Sequence, residues 1–168
     1  NTPVVMVQGN SSIDGSEYYL GAKAGTTTTS HSHMDCGSFV YDAYGYHWAV
    51  DLNRQEYTDV ENIASLHYGN FWDLSQNSLR WRFLRMNNRF HNTLTINDTD
   101  HYVKGKTEIV RVIDSLDYKG AVIDMTPLFK SQAQKVVRHI TIQKDGSLFV
   151  RDSVTALDTL DADLSWRM

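Results

Sequence analysis

The chain has 168 residues, 41% of them hydrophobic and 21% charged, with a net charge of −4. That length suits one ordinary domain able to bury about 70% of its unfolded surface, and the charge, with no basic run, excludes a nucleic-acid footprint. A single cysteine, Cys36, excludes an internal disulfide, and no stretch carries enough consecutive apolar residues to span a membrane.

The first fifteen or so residues carry no clear pattern. EYYLGAKAG, from Glu17 to Gly25, reads as a strand with small residues. Phe39 to Ala43 and Tyr46 to Leu52 read as two strands joined through Tyr44-Gly45, a hairpin signal. The segment from Thr58 to Leu84 breaks this rhythm. It is long, polar and aromatic, with a short helix expected around Val60 to His67 and a loop after it. Phe71, Trp72 and Trp81 argue that this loop is ordered, and an ordered loop of that length is usually functional. NTLTIN (Asn92 to Asn97) alternates again. Thr107 to Asp114 and Lys119 to Met125 are β-rich runs flanking Ser115 to Asp117. KVVRHITIQ, then KDG, then SLFVRDSV is the clearest hairpin, with Lys144-Asp145-Gly146 as its turn, and DADLSWRM is a last strand. Short strands with frequent turn residues predict an all-β fold, an antiparallel β-sandwich over residues 1–168 as one domain, interrupted by a long, partly helical loop around residues 58–80. The chain opens on Asn1 and stops within a strand-like run, so the expectation is a fragment of a larger protein.

The chemistry concentrates in SHSHMDCGSFVYDAYGYHWAVD, Ser30 to Asp51. Successive side chains of a strand alternate between faces, so an extended Ser30 to Cys36 places His31, His33 and Asp35 on one face. Two imidazoles and carboxylates suit zinc. Two histidines of this spacing can equally hydrogen-bond to neighbours at the edge of a sheet. Asp51, closing the second hairpin strand, and His91, before NTLTIN, supply further candidate ligands. H-x-H also occurs in cupins, but the Glu of their pattern is missing, because Cys36 and Gly37 occupy that region.

The stretches from His31 to Asp51 and from Arg80 to Asn97 (RWRFLRMNNRFHNTLTIN) resemble the heparinase II/III-like family of polysaccharide lyases, in its C-terminal β-sandwich portion. The resemblance implies one zinc ion per chain, structural in role, held by His33, Asp51 and His91, with His31 free to face the substrate groove as a catalytic residue. It implies an acidic, uronic-acid-containing polysaccharide substrate, glycosaminoglycan-like, cut by β-elimination. It implies an N-terminal α/α toroid of the same protein as the other wall of the groove, and a periplasmic or secreted location. The toroid supplies the catalytic Tyr, and nothing in this chain reads as a series of paired helices. The chain alone is therefore expected to be poorly active.

Around that core, Arg82 and Arg85 are candidate substrate contacts, since guanidinium binds carboxylate in bidentate fashion. Tyr68 and Trp72 are candidate stacking surfaces for sugar rings. Asp35 is a candidate carboxylate behind the histidines, able to orient one of them. Two other readings stay open: a non-catalytic carbohydrate-binding or structural β module, and a metal-dependent hydrolase in which a metal-bound water attacks.

Overall fold

A computed structural model describes residues 2–51, 56–157 and 161–166. The strands are β1 (Val4–Asn10), β2 (Glu17–Lys23), β3 (Gly25–Thr26), β4 (Phe39–Ala43), β5 (Tyr46–Ala49), β6 (Thr95–Ile96), β7 (Lys106–Asp114), β8 (Tyr118–Asp124), β9 (Ala133–Gln143), β10 (Leu148–Ala156) and β11 (Leu164–Ser165). One α-helix, α1 (Tyr57–Leu66), lies between β5 and β6. The sheets are antiparallel: a four-stranded one in the order β1-β2-β4-β5, a five-stranded one in the order β10-β9-β8-β7-β3, and a small pair β11-β6. Leu52, Arg167 and Met168, which the sequence reading places in strands, lie outside the described residues.

The alternation explains the sandwich. In β4, Phe39, Tyr41 and Ala43 are buried while Val40 and Asp42 face outward. Leu20 and Ala22 of β2 join them, and the five-stranded sheet adds Ala121, Ile123, Val136, Ile140 and Ile142 to one shared core. The two sheets thus bury their inner faces against each other, as sandwich packing requires. The Tyr44-Gly45 turn forms as read: both residues have positive φ, 56° and 77°, the combination a two-residue type I′ hairpin needs, and the flanking pair Ala43↔Tyr46 closes the ladder. The later hairpin pairs β9 with β10 in register from Leu148↔Ile142 to Val154↔Val136.

Besides shortening the strands read over Tyr46 to Leu52 and over DADLSWRM, the structure departs from the sequence reading in three places. β1, from the region without a clear pattern, pairs along its whole length with β2. The strand read over Asn92 to Asn97 is cut to Thr95–Ile96, because His91, Asn92 and Thr93 spend their side chains on other segments. Ser30 to Ser38 is a loop rather than a strand.

The polar, aromatic segment 56–90 builds a small core of its own. Val60 and Ala64, one helical turn apart, are buried in α1 and pack with Phe71, Trp81 and Met86, and with Met34 from the loop after β3. Tyr68 in the left-handed region, φ 55°, ends the helix, with the Gly69 and Tyr68 N–H groups donating back to Ala64 O and Ser65 O. The insertion is therefore packed onto the loop that carries the histidines.

Candidate functional site

The histidine loop is held from both sides of His33. Arg80, wholly buried, donates from Nη2 to Ser32 O at 2.8 Å, and Met34 N donates to Met86 O at 2.9 Å. Arg80 lies over the Phe71 ring at 4.5 Å and also donates from Nη1 to Phe71 O at 3.3 Å. No carboxylate pairs with it among the described residues, and burial lowers its pKa. Aromatic faces and carbonyl oxygens, rather than an anion, carry this charge.

Just before these anchors His31 projects outward. It sits in the left-handed region, φ 63°, an uncommon conformation for a residue with a side chain, and one that concentrates at functional sites. Its ring is exposed and packs against Tyr57 at 5.2 Å and edge-on against Trp72 at 5.0 Å. Trp72 is fixed in turn by its indole N–H, which donates to Glu61 of α1. The result is a surface imidazole in an aromatic collar supplied by the insertion.

His33 turns the other way. Its ring lies 5.3 Å from that of His91. Its pKa is pushed down to about 4, first by burial; nearby Asp35 opposes this, while His91, Arg85 and Arg80 add to it. His33 is therefore a neutral imidazole at physiological pH. His91 is almost fully buried, with Nε2 at 2.9 Å from Arg85 O and Nδ1 at 2.7 Å from Asp51 Oδ1. A carbonyl oxygen only accepts, so Nε2 carries a proton. That leaves Nδ1 facing a carboxylate, and a cation must lie between the two, a proton or a metal ion.

The three residues His91-Asn92-Thr93 each tie down a different segment. His91 meets Asp51. Asn92 Nδ2 donates to Phe39 O at 2.8 Å and Val50 O at 3.0 Å, fixing β4 and the residue before Asp51. Thr93 Oγ1 donates to Cys36 O at 2.8 Å. Behind them Arg138 of β9, wholly buried, forms a two-pronged pair with Asp152 of β10, at 2.8 and 2.6 Å, and donates from Nη1 to Gly37 O and Asn92 O. One guanidinium from the five-stranded sheet thus holds the ends of both the His33 and His91 segments.

Residues 9–168 match the family described as Heparinase II/III-like, C-terminal. The chain belongs to that family. No curated protein matched it. As a heparinase II/III-like module of β-sandwich form, it carries the polysaccharide-lyase framework that the motifs suggested. No helix among the described residues is long and apolar enough to cross a membrane.

In this heparinase II/III-like module the donors at His33, Asp51 and His91 suit zinc in chemical type: two imidazoles and a carboxylate. The His91 Nε2–H bond to a backbone carbonyl is the outer contact a zinc-bound imidazole normally makes. Asp51 and His91 stand at hydrogen-bond distance, with the His33 ring 5.3 Å from that of His91. Among the described residues no group of three or more His, Cys, Asp or Glu side chains is closed around a common point. Neighbouring ligands of tetrahedral zinc stand about 3.3 Å apart, so the 2.7 Å Asp51–His91 pair has to open by about 0.6 Å to admit the ion.

The remaining predicted residues scatter. Trp72 joins His31 directly. Asp35 is buried and pairs with Lys23 of β2, near enough to His33 to raise its pKa. Arg85 gives its carbonyl to His91 and acts electrostatically on His33, while its buried Nε and Nη1 have no hydrogen-bond partner among the described residues. Arg82 is exposed in a separate hollow with Ile63, His67, Leu79 and Phe83. Tyr68 is fully exposed at the end of α1, where its conformation serves the helix stop. Sequence reasoning missed Arg80, Asn92 and Arg138. HNT and RWR were visible as motifs, but a sequence does not show which arginine of a run is buried.

Proposed function

We propose that this heparinase II/III-like chain is the β-sandwich portion of a lyase that cleaves a uronic-acid-containing polysaccharide by β-elimination, with His31 as its contribution to the catalytic groove. The observation that supports this most is the division of labour in the loop. His33 turns inward to His91, while His31, two residues earlier, stands at the surface in a collar of Tyr57 and Trp72.

Elimination removes the C5 proton beside the uronate carboxylate, breaks the C4–O4 bond, forms a C4–C5 double bond and protonates the departing O4. The C5 proton is only weakly acidic, so the carboxylate must be neutralised as charge builds on it. His31 as imidazole can donate a hydrogen bond to that carboxylate or accept the C5 proton. The faces of Tyr57 and Trp72 orient the sugar beside it, and the partner acid–base group, with the opposite wall of the groove, comes from a helical toroid of the same protein. Zinc at His33, Asp51 and His91 supplies a cross-link between three segments when bound. The loop's other anchors, Arg80 and Met86, keep His31 in place.

In the complete protein, His31→Ala is expected to lower the rate of ultraviolet absorbance growth from the new double bond by at least 100-fold, with melting temperature and metal content unchanged. Activity within a fewfold of wild type sinks the catalytic assignment. The aromatic collar then favours the second reading, a module that binds carbohydrate without reacting with it.

A further inference from the structure

The outer face of the five-stranded sheet carries a cationic row that the His31 site does not use. In register, Arg111 of β7 stands opposite Val122 of β8, Val122 opposite His139 of β9, and His139 opposite Arg151 of β10. Val122, His139 and Arg151 point away from the shared core, since their chain neighbours Ala121, Ile123, Ile140 and Val150 face it; Arg111, past a register shift in β7, lines one groove with His139. Arg111, His139 and Arg151 are exposed, and none has an ion-pair partner among the described residues. Adjacent strands are about 4.8 Å apart, so the row runs about 14 Å across the sheet, the length of a few sugar rings. Beside it, Tyr118 and Phe149, 43% and 53% exposed, line the same shallow groove of 510 Å³ as Arg111 and His139. The nearest acids in register are Glu108 and Asp124. Glu108 is paired with Lys106, and Asp124 accepts from Thr126 N.

Two unpaired guanidiniums and an imidazole in a line, flanked by aromatic faces, stand out on a chain whose net charge is −4. We propose that this face is a second binding site for the uronate polysaccharide, away from His31, gripping carboxylates along the polymer while Tyr118 and Phe149 stack on its rings. The inference rests on the proposed function for its ligand class, and on charge complementarity for its site. It holds a long chain near the groove and adds nothing to the chemical step, so it acts by raising local substrate concentration.

The test uses the complete protein carrying His31→Ala, so that nothing is consumed, with alginate polymer, an alginate disaccharide too short to span the row, and neutral dextran as probes in calorimetry. Arg111→Ser with Arg151→Ser is expected to weaken polymer binding about tenfold at low salt, with less difference at high salt. Disaccharide binding should change much less, and dextran should not bind. Arg111→Lys with Arg151→Lys should restore most of the polymer affinity. Should the double serine variant melt early, Arg151→Gln alone is expected to show about a threefold loss. Unchanged polymer affinity in the serine or glutamine variant overturns the proposal, as does an equal loss on polymer and disaccharide. Elimination is assayed separately on the unsubstituted protein, and its absence there sinks the catalytic reading while leaving the binding result to stand.

Discussion

At the residue scale, two histidines, one half-buried and one buried, show how burial dominates a charge state. His33 and His101 both have pKa values pushed down to about 4, with burial as the main cause in each. His101 is the cleaner case. It is wholly buried, Nε2 lies 2.7 Å from Leu94 O, the ring meets Phe129 edge-on, and Nδ1 has no hydrogen-bond partner among the described residues. An unfolded His101 takes up its proton near pH 6.5, but the folded one resists until about 4. Between those values the unfolded state binds more protons, so stability falls as pH drops through the window and levels off below it. The loss is on the order of 3 kcal/mol for a shift of this size. Urea unfolding at pH 7, 5.5 and 4.5, in chelator, should show wild type losing more stability on acidification than His101→Gln. Parallel losses would show that His101 is not the titrating group.

At the element scale, the parts that follow local rules were legible in the sequence. The Tyr44-Gly45 and Lys144–Gly146 turns, the helix near Val60 and the alternating strands all came from turn chemistry and periodicity. What escaped was set by long-range contact. β1 is a strand because β2 offers it a full-length partner, and Asn92-Thr93 leave the strand pattern because carbonyls 42 to 57 residues away claim their side chains. Strand alternation places His31 and His33 on one face, yet the loop sends them to opposite duties. The element behind that division is the insertion, acting through Arg80. Arg80→Met removes the donor to Ser32 O and the cation held by Phe71, and is expected to cost about 2–4 kcal/mol. Arg80→Lys should not rescue it, because one ammonium cannot reproduce the planar fork. Catalysis in the complete protein should fall further than stability alone explains, since His31 loses its anchor. An Arg80→Met protein as stable and active as wild type would detach the insertion from the site.

At the scale of the whole molecule, the question is what closes the distance between three remote segments. His33 comes from the loop after β3, Asp51 from just beyond β5, and His91 from the end of the insertion, 40 residues past Asp51. Side-chain bonds to backbone carbonyls already gather them: Arg138 bridges Gly37 and Asn92, and Asn92 bridges Phe39 and Val50. A zinc ion bound at this point would join segments already held near one another, once the Asp51–His91 pair opens, and would stabilise the folded state by mass action rather than build it. At free zinc about 100 times its dissociation constant the gain is about 2.7 kcal/mol, which for a domain of this size is a rise of roughly 5–10 °C in melting temperature. Elemental analysis should find one zinc per chain, and chelation should lower melting by that amount without abolishing the cooperative transition. Asp51→Asn should melt low from the start and respond little to chelator. A chelated protein that keeps its melting temperature but loses elimination would instead assign the ion to the chemistry. One that keeps both would remove zinc from the account and leave a proton as the cation between Asp51 and His91.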